Sequence, residues 1–221
     1  MFVKVCQITS EEDALLSIAM GADAIGFIFA PSPRQVQPPA VRDIVRRLPD
    51  DILTVGVFVN EAPERVVEIV QATGLRGAQL HGGTAEQTKY VHERIRVVFK
   101  VFAAGDPGVR KAKEHGADAI LIDNPRPGSG QVFDWSLAED VPAGQRLMLA
   151  GGLTSENVAD AIDVVQPWGV DVGTGVEASP GVKDPRKLRA FIATAREAGA
   201  LLAETRHVPD TPAPYDWRDD G

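Results

Sequence analysis

The chain has 221 residues, 44% of them hydrophobic and 24% charged, which excludes a disordered or collagenous polymer and fits one globular domain. With 31 Asp+Glu against 23 Lys+Arg it carries a net charge of −8, and no basic run interleaves with aromatics, so no nucleic-acid partner is expected. The longest apolar runs, such as Ala24 to Pro31 and Ile52 to Val59, fall short of the roughly 20 residues of a membrane-spanning helix, no secretory pattern is visible, and the single cysteine, Cys6, cannot make an internal disulfide; a cytoplasmic protein with no membrane partner is the expectation.

Short β-branched apolar runs alternate with stretches whose apolar residues recur three and four apart. In chain order the reading is strand Phe2–Cys6, helix Glu11–Met20, strand Ala24–Phe29, helix Pro39–Leu48, strand Leu53–Asn60, helix Pro63–Thr73, strand Gly77–His81 and helix Ala85–Arg94. Strand Val97–Phe102, helix Pro107–His115 and strand Ala119–Asp123 follow, then only a short helical turn around Trp135–Ala138. Strand Arg146–Ala150, helix Ser155–Val164, strand Gly169–Val172 and helix Pro185–Ala198 complete the series. The helix-to-strand joint Gly-Ala-Asp-Ala-Ile is written twice, at Gly21 and at Gly116, each glycine supplying a left-handed helix end. Eight units in residues 1–199 are enough for a (β/α)8 TIM barrel, a single α/β domain, and the glycine-rich loops follow the last two strands rather than the first, which argues against a doubly wound sheet. Residues 200–221 carry three prolines and no period; they are expected to form a mobile tail, with docking through Tyr215 and Trp217 as the alternative.

In such a barrel the reactive groups sit at the C-terminal ends of strands. Cys6 ends the first strand and reads either as a small buried hydrophobe or as a reactive thiol. Asp123 ends the sixth and reads either as a turn cap or as an acid. Arg34 is either a surface charge or a planar fork for a carboxylate or phosphate. Asn60, Gln79, His81 and Asp171 also lie at strand ends, and His81 is more often structural than catalytic. Four histidines at no metal-ligand spacing argue against a metal. Gly151 and Gly152 after the seventh strand, with Gly173, Thr174, Gly175 and a short helix from Val176 after the eighth, form a pattern of unhindered N–H groups that suits an anion. No Walker lysine accompanies them, so the phosphate is read as a substrate handle rather than a transferred group.

Several stretches together carry a family likeness. They are Lys4-Val5-Cys6-Gln7-Ile8-Thr9, Ser32-Pro33-Arg34, Val55-Gly56-Val57-Phe58-Val59-Asn60, Gln79-Leu80-His81-Gly82, and Gly128-Ser129-Gly130 with Phe133-Asp134-Trp135. Leu149-Ala150-Gly151-Gly152-Leu153 and the run from Gly175 to Asp184 complete the set. In this order, from residue 3 to about residue 193, they resemble phosphoribosylanthranilate isomerase of tryptophan biosynthesis. The resemblance implies a (β/α)8 barrel that rearranges a phosphorylated aminoaldose by general acid/base chemistry without metal or cofactor, as a monomer or homodimer. It places the catalytic cysteine on Cys6 and the catalytic aspartate on Asp123, and it assigns Arg34 to the anthranilate carboxylate. Gln79, His81 and Asp171 would line the pocket, with Gly151, Gly152, Gly173, Thr174 and Gly175 at the phosphate. The roles require an Asp123 pKa raised by burial or nearby negative charge, and a Cys6 pKa lowered by electropositive donors. Two departures stand out: Gln7 replaces the usual glycine after the cysteine, where it would crowd the loop or alter the aromatic end, and Gly173-Thr174 replace the usual pair of serines. Ser10 stands where the family often has a basic residue. A related sugar-phosphate isomerase of altered or dual specificity, or a non-catalytic phosphate-binding barrel, is the alternative.

Overall fold

The structure, a computed structural model, describes residues 1–126, 130–138 and 140–205. Eight parallel strands close into a barrel in chain order: β1 (Phe2–Val5), β2 (Ala24–Ile28), β3 (Leu53–Val59), β4 (Gly77–His81), β5 (Val97–Ala103), β6 (Ala119–Asp123), β7 (Leu147–Leu149) and β8 (Gly169–Val172). Pairing of Phe2 with Gly169 through Val5 with Val172 seals the ring. The outer layer is α1 (Glu11–Ala19), α2 (Pro38–Val45), α3 (Pro63–Thr73), α4 (Ala85–His92), α5 (Val158–Val165) and α6 (Pro185–Thr205), with 3-10 turns at Pro107–His115, Trp135–Ala138 and Thr174–Val176.

Successive residues of a strand face opposite sides, and here both sides are apolar because one packs the lumen and the other packs helices. The lumen holds Leu53, Val55, Val97, Phe99, Val101, Leu121 and Met148, floored by Phe2 stacked on Trp168 at 4.5 Å. The outer core collects Ile25, Phe27, Phe58, Ile120, Ile122 and Phe191 beneath the helices. Each fully buried phenylalanine is worth about 1.5–3 kcal/mol relative to exposure. The twin joints do the same job twice. Gly21 (φ +97°) and Gly116 (φ +66°) end their helices, and the aspartates two residues on, Asp23 and Asp118, accept from the backbone N–H of Val3 and Val98 at 2.7 Å. They pin the strand starts, on the face opposite the mouth.

Several boundaries differ from the sequence reading. Pro107–His115 is a 3-10 run with only Val109 and Ala112 buried, an i, i+3 pair that eclipses in that geometry. α5 begins at Val158 rather than Ser155: Asn157 Oδ1 accepts from Thr154 N at 2.8 Å, and Thr154 Oγ1 accepts from Glu156 N, so side chains take the backbone groups a helix would use. After β8 the 3-10 turn leads into a two-stranded hairpin, β9 (Glu177–Ser179) and β10 (Val182–Lys183), with Gly181 at φ +81°. α6 runs to Thr205, so the first residues of the expected tail are helical. Residues 206–221, including Tyr215 and Trp217, and Gly128-Ser129 lie outside the described residues.

Candidate active site at the mouth of the barrel

Strand ends and the loops that follow them enclose a cavity of about 370 Å³, within the usual range for small-molecule sites. Ten of the eleven predicted site residues line it: Cys6, Arg34, Gln79, His81, Asp123, Gly151, Gly152, Asp171, Gly173 and Thr174. Gly175 lies outside that lining. A Cβ there would stand 1.9 Å from the Leu153 carbonyl oxygen, so the glycine at 175 lets the β7 and β8 loops touch. Asn60, at φ +50°, is also outside the cavity lining.

The floor is charged. Lys4 and Asp171 point into the lumen from adjacent strands, and Lys4 Nζ donates to Asp171 Oδ1 at 2.9 Å in a fully buried pair. Lys4 Nζ also sits beside the Cys6 thiol, and Gly26 on β2 leaves room for both, since a Cβ there would meet Cys6 Sγ at 2.9 Å and Lys4 Nζ at 3.0 Å. Burial acts to lower the Lys4 pKa, but Asp171 and Cys6 together outweigh it and the net shift is upward. Lys4 is therefore a permanent cation. For Cys6 the balance goes against the sequence reading: burial pushes the thiol above its ordinary value, the Lys4 ammonium pulls it back, and the Asp171 carboxylate adds a further upward push. Desolvation of the thiolate outweighs the pull of Lys4 and the weaker pull of Lys183.

Asp123 behaves as the sequence requires. Burial, reinforced by the negative charge of Asp171, pushes its carboxyl up to about 6, against the Asn124 N–H and the charge of Lys4. The cap function expected as its alternative is shared with Asn124, whose Oδ1 accepts from Arg126 N and whose Nδ2 donates to the Gln131 carbonyl, both at 2.8 Å. Asp123 Oδ1 itself accepts from Asn124 N at 2.7 Å. His81 is neutral at pH 7: burial, then the charges of Lys4 and Lys100, push it down to about 4. Its Nε2 pairs with Gln79 Nε2 at 3.1 Å, which places His81 as a polar wall rather than a proton carrier.

Arg34 is not a free surface charge. Its Nε and Nη2 donate to both carboxylate oxygens of Glu177, at 2.6–3.1 Å, with Glu177 only 5% exposed. One face of the guanidinium is thus held, and Nη1 is the nitrogen that makes no bond to Glu177. Glu177 also accepts from Gly181 N and lies 3.7 Å from Lys183 Nζ, while Lys183 Nζ donates to the Gly173 carbonyl at 3.1 Å. Because a trans peptide points its C=O and N–H in opposite directions, Lys183 fixes the direction of the Thr174 N–H. Among the described residues no partner takes the N–H of Gly152 or Gly173.

Lys4, Glu177 and Lys183 were given no site role in the sequence reading. Lys4 had a legible signal, since Phe2, Lys4 and Cys6 alternate onto one strand face; the hairpin had one in Pro180-Gly181, a turn pair. The two departures prove to be one packing event. Gln7, at φ +66°, lays its carboxamide where a side chain on residue 173 would stand, so it crowds the glycine loop of β8 rather than the Arg34 end. Ser10 caps α1, accepting from Asp13 N at 3.1 Å.

A family described as N-(5'phosphoribosyl)anthranilate (PRA) isomerase matches residues 3–194. The N-(5'-phosphoribosyl)anthranilate isomerase of Desulforudis audaxviator is 45% identical over 203 residues, covering 89% of this chain and 98% of that one. Among solved structures, the Thermus thermophilus phosphoribosyl anthranilate isomerase is 39% identical with a TM-score of 0.83, over 89% of this chain and 99% of that one. A phosphoribosyl anthranilate isomerase in complex with reduced 1-(o-carboxyphenylamino)-1-deoxyribulose 5-phosphate is 40% identical with a TM-score of 0.78, over the same shares.

Proposed function

The chain belongs to the N-(5'-phosphoribosyl)anthranilate isomerase family, and from that premise we propose that Asp123 and Cys6 are the acid and base of its rearrangement. The reaction converts N-(5-phosphoribosyl)anthranilate to 1-(2-carboxyphenylamino)-1-deoxyribulose 5-phosphate, an isomerisation of tryptophan biosynthesis. The observation that carries the assignment is that the two groups line one cavity with Asp123 held near 6.

Opening the aminofuranose needs a proton on the ring oxygen. A carboxyl of pKa about 6 is protonated in roughly one molecule in ten at pH 7, against about one in a thousand for an ordinary aspartate. The ring C–O bond breaks as Asp123 delivers its proton, leaving an open-chain iminium. Cys6, as thiolate, then takes the C2 proton; the electrons of that C–H bond form the C1–C2 double bond and neutralise the nitrogen. The resulting enolamine moves a proton from the C2 hydroxyl to C1 and becomes the ketone. A thiol pKa raised by burial makes the thiolate scarce yet more basic, and the Lys4 ammonium is the group that sustains it. In this reading the Nη1 edge of Arg34 takes the anthranilate carboxylate, and the N–H groups of Gly152, Gly173 and Thr174 hold the phosphate.

The test is loss of phosphoribosylanthranilate fluorescence on adding the purified protein, with Asp123→Asn beside it. Turnover by the parent and its collapse in the variant are expected. A parent protein that leaves the substrate unchanged contradicts the function, and an active Asn variant moves the acid elsewhere.

A further inference from the structure

The hairpin after β8 holds more buried charge than its size explains. Its strands are three and two residues long, yet Glu177 and Lys183, opposite one another in the pairing, are both buried. Buried ion pairs recover little net stability, because each charge gives up its hydration; what they fix here is geometry, and it falls on both ends of the cavity. Glu177 holds the Arg34 fork, Lys183 holds the Gly173 carbonyl, and the two lie 3.7 Å apart. Arg34 and Gly173 both line the cavity. The hairpin is itself tied to its surroundings at three points. Asp13 of α1 accepts from Lys183 N at 3.1 Å, Lys187 of α6 donates to the Glu177 carbonyl at 2.9 Å, and Thr9 donates to the Gly181 carbonyl at 2.6 Å. A strip held by three other segments is a stiff bridge.

We propose that the hairpin is a spacer that sets the separation of the cavity's two anion-binding ends, with Glu177 and Lys183 as positioning residues, and that it selects ligands carrying a carboxylate and a phosphate at that separation. The proposal rests on reading Arg34 as the carboxylate end and the β8 loop as the phosphate end. Glu177 aims the Nη1 edge of the guanidinium, and Lys183, through the Gly173 carbonyl, aims the Thr174 N–H. An isolated anion meets one end and is indifferent to where the other stands. A ligand that spans the cavity is not, since a displaced end costs it a charge-assisted contact.

Two variants alter the spacing at constant net charge, so that the general attraction for anions is unchanged. Glu177→Asp shortens the arm that holds Arg34 by one methylene, and Glu177→Gln/Lys183→Met removes one charge of each sign. The first keeps every charge in place and folds even where the second does not. Inorganic phosphate and anthranilate are titrated separately by calorimetry. Phosphoribosylanthranilate is titrated by its fluorescence with Asp123→Asn added to parent and variants alike, so that binding is read without turnover. A hydrogen bond to a charged group corresponds to roughly a tenfold to hundredfold change in affinity, so the Kd of the spanning ligand is expected to rise at least about tenfold while each fragment stays within about threefold of the parent. A spanning Kd that matches the parent's in either folded variant, or fragment Kd values that rise as far as the spanning one, overturns the proposal. Arg34→Met separates this from the reading beneath it. If that variant binds anthranilate as the parent does, the carboxylate end lies elsewhere and both fall; if it loses anthranilate and keeps phosphate while the spacing variants match the parent, the spacer alone falls.

Discussion

Replacing Lys4 with methionine removes the ammonium on which the floor of the site depends. Lys4 is wholly buried, and its partner carboxylate on Asp171, 7% exposed, lies 2.9 Å away. Deleting one member of a buried pair typically costs about 3–5 kcal/mol, because the other charge is left in a low-dielectric surrounding. In a domain of this size each kcal/mol shifts Tm by roughly 2–4 °C, so Lys4→Met should melt on the order of 10 °C lower. Lys4→Met/Asp171→Asn removes both charges and should recover most of the loss. Chemistry should not recover with it: the influence of Lys4 on Cys6 is downward, so without the ammonium the thiol titrates at still higher pH and turnover at pH 7 falls at least about tenfold. Thermal melts and ultraviolet thiolate absorbance against pH read the two effects separately. A single variant that melts with the parent and titrates its thiol at the parent's pH would refute the reasoning.

Asp123→Asn should trade activity for stability. Its carboxyl is raised from 3.8 to about 6 in the fold, so as pH climbs through that window the unfolded chain ionises first and the folded state loses stability, by about 3 kcal/mol at most above pH 6. The Asn variant should therefore melt higher than the parent at pH 7 and alike at pH 3, while kcat drops about 10²–10⁴-fold; equal melting at pH 7 would show that Asp123 carries no such penalty. The pH profile of kcat/KM should have an acidic limb near 6 set by Asp123 and an alkaline limb set by Cys6, because the active form has the acid protonated and the base ionised although their pKa values run the other way; an acidic limb unmoved in Asp123→Asn contradicts this. Arg34→Met should raise KM roughly 10- to 100-fold and also lower Tm, because it leaves the buried Glu177 carboxylate without its fork; unchanged kinetics return Arg34 to a purely structural role. Gly152→Ala should destabilise as well as weaken binding, since its φ of +69° disfavours a side chain and a Cβ would stand 2.4 Å from the Gln131 carbonyl; a parent-like Tm and KM would remove Gly152 from both roles.

Much of the barrel was written in local signals. The repeated Gly-Ala-Asp joint, the prolines at helix starts and the two-sided apolar strands each report a few adjacent residues, and the strand ends they define carried Cys6, Asp123, His81 and Asp171 to one cavity. The site's electrostatics were less legible because they are set by pairs remote in sequence. Lys4 meets Asp171 across 167 residues, and Arg34 meets Glu177 across 143. Whether Cys6 is held low or high depends on how far burial exceeds Lys4, a balance that spacing does not encode. The 3-10 run at Pro107–His115 and the late start of α5 reflect competition by Asp106, Thr154 and Asn157 side chains for backbone N–H groups, a choice between near-equal local structures that residue type alone leaves open. Glycine patterns identified the β7 and β8 loops, while the distinct duty of Gly175 emerged only from the approach of Leu153.

The central claim, proton transfer from substrate C2 to Cys6 after ring opening by Asp123, is tested most directly with phosphoribosylanthranilate deuterated at C2. Turnover is followed by fluorescence loss for the parent and for Cys6→Ser, with phosphate binding measured on both. The account predicts a primary isotope effect in the parent at alkaline pH, and a loss of about 10²–10⁴-fold in kcat for the serine variant with phosphate affinity retained. Near-parent turnover in a folded Cys6→Ser protein would contradict it.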